Sequence, residues 1–361
     1  MDAKLHKKLS DRQEKGTLRS LSSFEGFVDF FSNDYLGVAK SSERQITVAG
    51  STGSRLLSGN SKGCEKVEQQ FAQFFDSEAA LHFNSGYDAN LGIFSTLPQK
   101  GDTILYDEFI HASVRDGVRL SWAKSFSFRH NDLEHLEERL KKAEGAIYVA
   151  IEALYSMDGD IAPLKEIAAL CQRYGAYLIV DEAHSGGIFE RLGRGLVSEL
   201  DLTSLVFIRL MTFGKAYGSH GSIVLCSADT RQFLVNFCRP FIYSTALPVS
   251  VLEHNYKIAS DSKLVEARMQ LQKVIGEYHS CLNGFGIETN SSVHSPIQVI
   301  EVGDIVRTRE LAEKLQSNRI AAKPIYSPTV PEGKERLRIC LHAYNTPEEV
   351  DQLIQILNSK R

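Results

Sequence analysis

Short apolar runs alternate with helical segments between about residues 60 and 230, and this alternation constrains the fold more than any other feature of the sequence. The runs are bounded by Gly, Asp or Asn, as buried strands commonly are. Strands separated by amphipathic helices favour a mostly parallel sheet with helices on both faces. We therefore predict an α/β fold with about seven strands, formed by AALHFNS, DTILYDE, KSFSFRH, AIYVAIEA, AYLIVDEA, LVFIRL and GSIVLCS.

The segments between these runs have the apolar spacing of amphipathic helices. In DLEHLEERLKKA, Leu133, Leu136 and Leu140 recur on one helical face, and PLKEIAALCQRYG repeats the pattern. A further helix, CEKVEQQFAQFF, precedes the first run. Helices of this kind can cover the predicted sheet.

The pattern changes after about residue 250. A long helical stretch over 249–284 leads into SPIQVIEVG, IAAKPIYSP and ERLRICLHA, which we interpret as strands with helices near 305–317 and 347–359. This part of the chain predicts a smaller C-terminal α/β domain.

At the N-terminus, a polar helix is expected to end near Gly16, and VDFFSNDYLG follows as a short strand and turn. We therefore divide the chain into an N-terminal helix and strand segment (1–40), a large ligand-binding domain (41–250) and a small C-terminal domain (251–361).

Charge and cysteine content exclude several classes of protein. The formal net charge is -4, and a nucleic-acid binder would usually show a basic face or tail. The six cysteines form no CxxC pair and no zinc-type spacing, which indicates reduced thiols and no metal site. The chain shows neither a signal peptide nor an apolar window long enough to span a bilayer. We expect a cytoplasmic protein that binds neither nucleic acid nor membrane.

The stretch YLIVDEAHSGG places reactive residues at the end of a predicted strand, where parallel sheets bind ligands. Asp181 to His184 spell DEAH, as in nucleotide-driven helicases, but the chain lacks a GxxxxGK[ST] phosphate loop. A metal held by Asp181 and His184 would lack a clear third ligand. Asp181 therefore either braces a loop or faces an organic ligand.

Lys215 lies in the small-residue loop FGKAYGSHGS, just after the predicted strand LVFIRL. Most lysines are exposed and have no special role. At a strand end, however, a long side chain can reach a cleft, where desolvation lowers its pKa. Such a lysine can form an imine or act as a base.

Two further signals are weaker by themselves. FNSGYDANLG puts small residues before a predicted helix, whose N-terminal N–H groups can bind an anion. His111, in YDEFIHASVRDG, is either a core histidine or a ring that stacks on a flat cofactor. With Asp181 and Lys215, these features match the needs of pyridoxal 5′-phosphate: an imine lysine, a carboxylate for the pyridinium, a phosphate cup and a ring sandwich.

Ten strings, in order, resemble the α-oxoamine synthases, which have the aspartate-aminotransferase fold (fold type I). The strings are FSNDYLGVA, GSTGSRLLSGN, NSGYDANLG, DEFIHAS, YSMDGDIAPL, VDEAHSGG, TFGKAYGSHGS, FIYSTALP, SPTVPEG and RLRI. Within the family, the resemblance is strongest to the enzymes of biotin synthesis.

The resemblance implies a role for each central residue of the site. Lys215 would carry the cofactor as an imine and then act as the general base. Asp181 would face the pyridine nitrogen, His184 would hydrogen-bond the phenolic oxygen, and His111 would stack on the ring.

It also implies how the phosphate is held. Gly86 and Tyr87 would offer N–H groups to the phosphate and Thr212 a hydroxyl, while Ser156 would also contact the cofactor. Thr245 would reach the phosphate of a partner subunit, so we expect a homodimer with shared active sites.

Four residues are expected to contact substrate by the same resemblance. Asn33 and Arg338 would hold the amino-acid carboxylate, Arg338 by a bidentate pair. Arg19 and Thr329 match positions that touch substrate in the biotin-pathway enzymes.

The implied reaction is a decarboxylative condensation of L-alanine with a pimeloyl thioester to give 8-amino-7-oxononanoate. The acyl donor would be carried on coenzyme A or on an acyl carrier protein. Alternatives within the family pair glycine with an acetyl or succinyl thioester, or serine with a palmitoyl thioester. A non-catalytic partner subunit of the same fold is a further alternative, although such subunits typically lose the lysine.

Four positions depart from the family pattern: Cys64, Gly186, Met211 and Tyr326. We expect these residues to lie where the substrate or its thioester enters, and therefore to affect acyl specificity rather than cofactor binding.

Overall fold

A computed structural model describes residues 10–11, 13–16, 24, 26–41, 50–327 and 329–358. Contacts between Cα atoms divide the chain into two compact units. The large unit comprises residues 33–156 and 160–272, and the small unit comprises residues up to 32, 157–159 and those from 273 onward. The sequence-based domain boundaries after residues 40 and 250 stay a prediction.

A seven-stranded sheet forms the centre of the large unit. Its strands are β2 (Ala79–Phe83), β3 (Thr103–Asp107), β4 (Lys124–Phe128), β5 (Ile147–Glu152), β6 (Tyr177–Asp181), β7 (Ile208–Thr212) and β8 (Ser222–Cys226). The spatial order is β2-β8-β7-β6-β5-β3-β4. Strand β8 is antiparallel to β7 and β2, and the other neighbours are parallel. The predicted mostly parallel sheet of about seven strands is confirmed.

Helices connect these strands. They are α1 (Lys62–Phe74), α2 (Gly86–Thr96), α3 (Ala112–Leu120), α4 (Leu133–Leu140), α5 (Leu164–Tyr174), α6 (Leu196–Glu199), α7 (Ala228–Phe237), α8 (Arg239–Ile242) and α9 (Val249–Ala259). Helix α1 begins after Ser61, whose Oγ accepts from the Cys64 N–H at 3.2 Å. Helix α5 ends at Gly175, whose φ of 62° lies in the left-handed region that glycine tolerates best.

The core of the large unit lies between the sheet and its helices. Alternate residues of the strands face helices α2 and α3, and their burial removes apolar surface from water. This packing fixes the carboxyl ends of the parallel strands at one edge. Its fully buried members include Leu81, Ile93, Ile104, Ile208, Leu210 and Val224.

The small unit contains two separate sheets. Strand β12 (Arg336–Cys340) pairs antiparallel with β9 (Ile297–Glu301) and β11 (Lys323–Ile325). Strand β1 (Val28–Asp29) pairs parallel with β10 (Ile320–Ala321). The predicted strand IAAKPIYSP therefore forms two short strands that join different sheets.

Two helices of the small unit, α11 (Ile305–Ser317) and α12 (Pro347–Asn358), lie where the sequence predicts them. The predicted stretch over 249–284 is instead two helices, because α9 ends at Ala259 and α10 (Leu264–Gly284) begins after a turn. Asp261 accepts the Lys263 N–H at 2.9 Å and stabilises this turn. Among the described residues, no helix has the length and apolarity needed to cross a membrane.

Candidate active site

A cavity of about 220 Å³ opens in the large unit at the carboxyl ends of the parallel strands. Several chemically reactive side chains predicted from the sequence meet there, although their elements are far apart in the chain. Six predicted cofactor residues line it: Gly86, Tyr87, His111, Asp181, Thr212 and Lys215.

Asp181 ends strand β6, as predicted, and is 7% exposed. Its Oδ2 accepts from Asn90 Nδ2 at 2.8 Å, and its Oδ1 accepts from the Ala183 N–H at 2.9 Å. Together, the two donors fix the orientation of the carboxylate. Asp181 can therefore present its carboxylate to a ligand in the cavity.

A line of hydrogen bonds connects Asp181 to His111. The Asn90 amide also donates to Ser113 Oγ at 3.0 Å, and Ser113 Oγ lies 2.7 Å from His111 Nδ1. Our sequence reasoning did not select Asn90 or Ser113. The sequence signal that could have identified Asn90 is its position inside the string NSGYDANLG.

His111 begins helix α3 as its N-cap, and its Nδ1 accepts from the Ser113 N–H at 3.2 Å. This acceptor role leaves the ring proton on Nε2. Burial lowers the pKa of His111, and Lys215 lowers it further, whereas Asp181 opposes the shift. The residue as a whole is exposed, and a neutral ring at the cavity can cover a flat aromatic ligand.

Lys215 follows strand β7, and its Nζ lies 2.7 Å from Nε2 of His184. Nδ1 of His184 lies 2.8 Å from the hydroxyl of Tyr35, which donates to Asn33 Oδ1 at 3.0 Å. Because the Tyr35 hydrogen goes to Asn33, the Tyr35 oxygen accepts from His184 Nδ1. The lone pair of Nε2 therefore faces the lysine.

Asn33, predicted to hold the substrate carboxylate, thus lies at the far end of this line. Its side chain is half-buried. Tyr35 is fully buried and was not selected from the sequence, although it lies in the matching string FSNDYLGVA.

The opposite part of the cavity is suited to an anion. Gly86 and Tyr87 are the first residues of helix α2, so their N–H groups have no acceptor within the helix. Thr212 Oγ1 is buried and makes no hydrogen bond to the described residues. A Cβ at Gly86 would lie 2.7 Å from Thr212 Cγ2, so a side chain there would displace Thr212.

Besides His184, which contacts Lys215, two further predicted cofactor residues lie outside the lining of the cavity. The N–H of Ser156, 9% exposed, donates to Oε2 of Glu152 at 3.3 Å. Thr245 is exposed, and its carbonyl accepts from Asn84 Nδ2 at 2.9 Å. Each therefore contacts a residue that lines the cavity, Glu152 or Asn84.

Glu152 is a site residue that our sequence reasoning missed. It ends strand β5 directly beside Asp181 of β6, and it is 3% exposed. Burial raises the pKa of Glu152 to about 8, and the charge of Asp181 adds to this effect. The signal was its position at the end of AIYVAIEA, which matches that of Asp181 in AYLIVDEA.

The other predicted substrate residues belong to the small unit or lie outside the described residues. Arg338, in β12, is 7% exposed, and its Nη1 donates to Cys340 Sγ at 3.0 Å. Thr329 is exposed, and its N–H donates to the Tyr326 carbonyl at 2.9 Å. Arg19 lies outside the described residues.

Three of the four departures from the family pattern lie in the packed interior, contrary to our expectation. Cys64 and Met211 are 2% and 0% exposed, and neither lines the cavity. A Cβ at Gly186 would lie 2.7 Å from Met211 Sδ. Gly186 and Met211 therefore form a matched small–large pair. Tyr326, in the small unit, is half-buried.

The donor set fits pyridoxal phosphate. A lysine, a carboxylate supported by two donors, an imidazole and an anion cradle all meet at the cavity, and the cradle includes a hydroxyl with no partner among the described residues. Among the described residues, no cluster of three His, Cys, Asp or Glu side chains is arranged to hold a metal ion.

Comparisons with known proteins agree with this fit. Residues 25–357 match the family model for aminotransferase class I and II. An 8-amino-7-oxononanoate synthase of Emericella nidulans is 38% identical over 98% of this chain and 94% of that protein. A solved Sphingomonas wittichii serine palmitoyltransferase has a TM-score of 0.89 and 30% identity, covering 99% of this chain and 97% of that chain.

A solved 8-amino-7-oxononanoate synthase of Francisella tularensis has a TM-score of 0.81 and 28% identity, covering 93% of this chain and 98% of that chain. The sequence match, the shared fold and the donor set lead to one conclusion: the chain belongs to the aminotransferase class I and II family and, within it, to the α-oxoamine synthases.

Proposed function

We propose that the protein condenses L-alanine with a pimeloyl thioester and releases carbon dioxide and the thiol, giving 8-amino-7-oxononanoate for biotin synthesis. Sequence relatives named 8-amino-7-oxononanoate synthase, 36–39% identical to this chain, support the choice of substrates. The observation that supports the chemistry is that Lys215 and Asp181 line the same cavity, with His184 Nε2 in contact with Lys215 Nζ.

Pyridoxal phosphate, when bound, supplies an electron sink that stabilises negative charge on the α-carbon of the amino acid. Asp181, whose carboxylate is held in place by Asn90 and Ala183, would keep the ring nitrogen protonated. The N–H groups of Gly86 and Tyr87 would hold the phosphate.

Lys215 is the residue that moves the proton. Its Nζ would anchor the cofactor and, once displaced by the amino acid, take the α-proton and later return a proton to the product. His184 Nε2, 2.7 Å away, orients the lysine nitrogen. His111 would cover the ring and exclude water from that face.

A different acyl and amino-acid pair is the main alternative, and the likeness to serine palmitoyltransferase structures favours considering serine with a palmitoyl thioester. A non-catalytic partner subunit fits less well, because Lys215 is present at the cavity. A cytoplasmic homodimer in which Thr245 completes the partner's site is part of this proposal.

Thiol release by the cofactor-loaded protein tests the function. L-alanine, glycine and L-serine would each be combined with pimeloyl, acetyl, succinyl and palmitoyl coenzyme A, and the released thiol followed with a thiol-reactive dye. We expect release with L-alanine and pimeloyl coenzyme A. Release only with another pair would overturn the substrate assignment but keep the mechanism.

Two variants calibrate the assay. Lys215→Ala should lower turnover by at least about a thousand-fold, since it removes the general base. Lys124→Ala is the matched control, because Lys124 is an exposed lysine whose Nζ lies 2.7 Å from a carboxylate oxygen of Glu144, and it does not line the cavity. Turnover retained in Lys215→Ala would refute the assigned role of the lysine.

A further inference from the structure

His130 bridges two carboxylates beside the candidate active site. Its Nδ1 lies 2.9 Å from Asp107 Oδ1, and its Nε2 lies 2.8 Å from Asp160 Oδ2. A neutral imidazole has one N–H, so it can donate to only one of these carboxylates. With both ring nitrogens on carboxylate oxygens, the ring is a protonated imidazolium that donates to each.

The surroundings of the ring also restrict its movement. Phe109 stacks on His130 with ring centroids 4.5 Å apart, and Tyr155 meets it edge-on at 4.5 Å. The His130 side chain is 18% exposed, and that of Asp107 is 0% exposed. An ion pair this buried is weakly screened by salt, and the loss of one partner leaves an uncompensated charge.

Asp107 is at the base of the loop that carries His111. It is the last residue of β3, and its Oδ1 accepts from the Phe109 N–H at 2.8 Å. Its Oδ2 accepts from the Asn131 N–H at 2.9 Å. The position of the His111 ring against the cavity therefore depends on how firmly Asp107 is held.

Asp160 lies in the turn that carries Ser156, just as Asp107 lies at the base of the loop that carries His111. Its carbonyl accepts from the Tyr155 N–H at 3.0 Å, and Leu154 and Ile161 form a bridge on either side of the turn. Asn131 Nδ2 donates to Asp160 Oδ2 at 2.6 Å. Asp160 thus ties the turn to the segment after β4.

We propose that the His130 imidazolium is a positioning residue of the active site. By bridging Asp107 and Asp160, it holds the loop of His111 and the turn of Ser156 in fixed positions relative to each other. It thereby fixes the part of the site that would hold the ring of the cofactor. His130 itself does not line the cavity. The inference rests on the proposed cofactor function.

Electrostatics support a permanent charge on His130. Burial lowers its pKa, but hydrogen bonds and charge from Asp107 and Asp160 outweigh burial and raise the pKa to about 10. Glu108, whose Oε1 accepts the His130 N–H at 3.0 Å, adds a further negative group nearby. The bridge is therefore intact throughout the neutral range.

The test compares His130→Gln with the double variant His130→Gln/Asp160→Asn. The single variant leaves two carboxylates around a neutral side chain, whereas the double variant restores the net charge of the native trio. The dissociation constant of pyridoxal phosphate would be measured by quenching of protein fluorescence, with the visible spectrum and the melting temperature recorded alongside. His135→Gln is the matched control, because this histidine of α4 accepts from the Arg129 N–H and does not line the cavity.

We expect His130→Gln to weaken cofactor binding about ten-fold or more and to alter the visible spectrum, and the double variant to recover most of that affinity. His135→Gln should keep the native affinity. Native affinity in His130→Gln would overturn the proposal, as would a loss that the double variant does not reverse, because that result indicates packing alone. If His130→Gln does not fold, Asp160→Ala should still weaken binding, and unchanged affinity there would overturn the proposal.

These outcomes are distinct from failure of the proposed function. If the native protein bound no pyridoxal phosphate, the proposed function itself would fail. If it bound the cofactor but released no thiol with any substrate pair, the comparison of the His130 variants would still decide the positioning role.

Discussion

The Tyr35 hydroxyl lies 2.8 Å from Nδ1 of His184 and selects the tautomer in which the lone pair of Nε2 faces Lys215. Tyr35→Phe removes that acceptor and allows the other tautomer of His184. A lost hydrogen bond of about 1.4 kcal/mol should lower kcat by about ten-fold, with a smaller effect on KM. Tyr174→Phe is the control, since the Tyr174 hydroxyl donates to Glu137 on the protein surface. Equal kcat in the two variants would contradict this role.

Asp181→Asn should separate cofactor binding from catalysis. The amide keeps the shape of the side chain but loses the charge that, on our proposal, would hold the ring nitrogen protonated. We expect the cofactor to bind, and turnover to fall by about a hundred-fold or more, as when one preorganised electrostatic contact is removed. The visible spectrum monitors binding and thiol release monitors turnover. A variant with native turnover would show that the negative charge is dispensable.

Thr212→Val should have opposite effects on stability and on cofactor affinity. The Thr212 hydroxyl is buried and makes no hydrogen bond within the described part of the chain, so its replacement by a methyl group should leave the cofactor-free protein equally stable or slightly more stable. The same change should weaken pyridoxal phosphate about ten-fold, because a phosphate donor is lost. Melting temperature and a binding titration measure the two effects.

Ser222→Ala is the matched control for Thr212→Val. Ser222 also carries a buried hydroxyl without a partner among the described residues, but it does not line the cavity. Its loss should leave cofactor affinity unchanged. Equal affinities in the Thr212 and Ser222 variants would argue against phosphate binding at Thr212.

Glu152→Gln should change how stability depends on pH. In the folded protein, Glu152 keeps its proton up to about pH 8, whereas the unfolded chain releases it near the usual pKa of 4.5. The folded state therefore binds the extra proton between these values, and its stability falls as pH rises through them. The contribution is at most about 1.4 kcal/mol per pH unit.

Urea denaturation of the cofactor-free protein, repeated from pH 5 to pH 9, measures this slope. The glutamine variant should lose the slope and should be more stable than the native protein at the alkaline end. An identical pH dependence in both proteins would show that Glu152 ionises normally.

Gly186→Ala should destabilise the fold without changing substrate choice. The new Cβ would meet Met211 Sδ at 2.7 Å, and overpacking of this kind costs about 1–3 kcal/mol. In a Met211→Ala background the same substitution should cost much less, because the sulfur is gone. Urea denaturation of the four proteins gives the coupling energy. A changed acyl preference in Gly186→Ala would contradict this prediction. It would support the role in acyl specificity that the sequence led us to expect for Gly186.

Local patterns were sufficient to predict most of the large unit. Six of the seven apolar runs contain a whole strand, and the seventh, LVFIRL, overlaps β7, which begins later and extends to Thr212. Asp181 ends its strand as predicted. The small unit was predicted less well. Ala322 separates β10 from β11, and the two strands join different sheets, which is a tertiary choice that no local pattern encodes.

The candidate site was likewise predictable from the sequence only in part. Lys215, Asp181 and Gly86 could be selected from residue type and position in the chain. Asn90 and Ser113 act only through hydrogen bonds to residues of other elements, so their role emerges once the sheet is assembled. Glu152 required knowledge that β5 and β6 are neighbours.

The order of strands in the sheet has a consequence for synthesis of the protein. Strand β2 comes first in the chain among the seven, yet its neighbour is β8, which is the last. During synthesis on a ribosome, β2 can pair only after nearly the whole large unit has been made. Pairing between strands so far apart in the chain is slow. Gly86 follows β2, whereas Thr212 ends β7, so these two residues of the proposed phosphate site meet only at that late step. We therefore expect a nascent chain to bind the cofactor only after the sheet is complete.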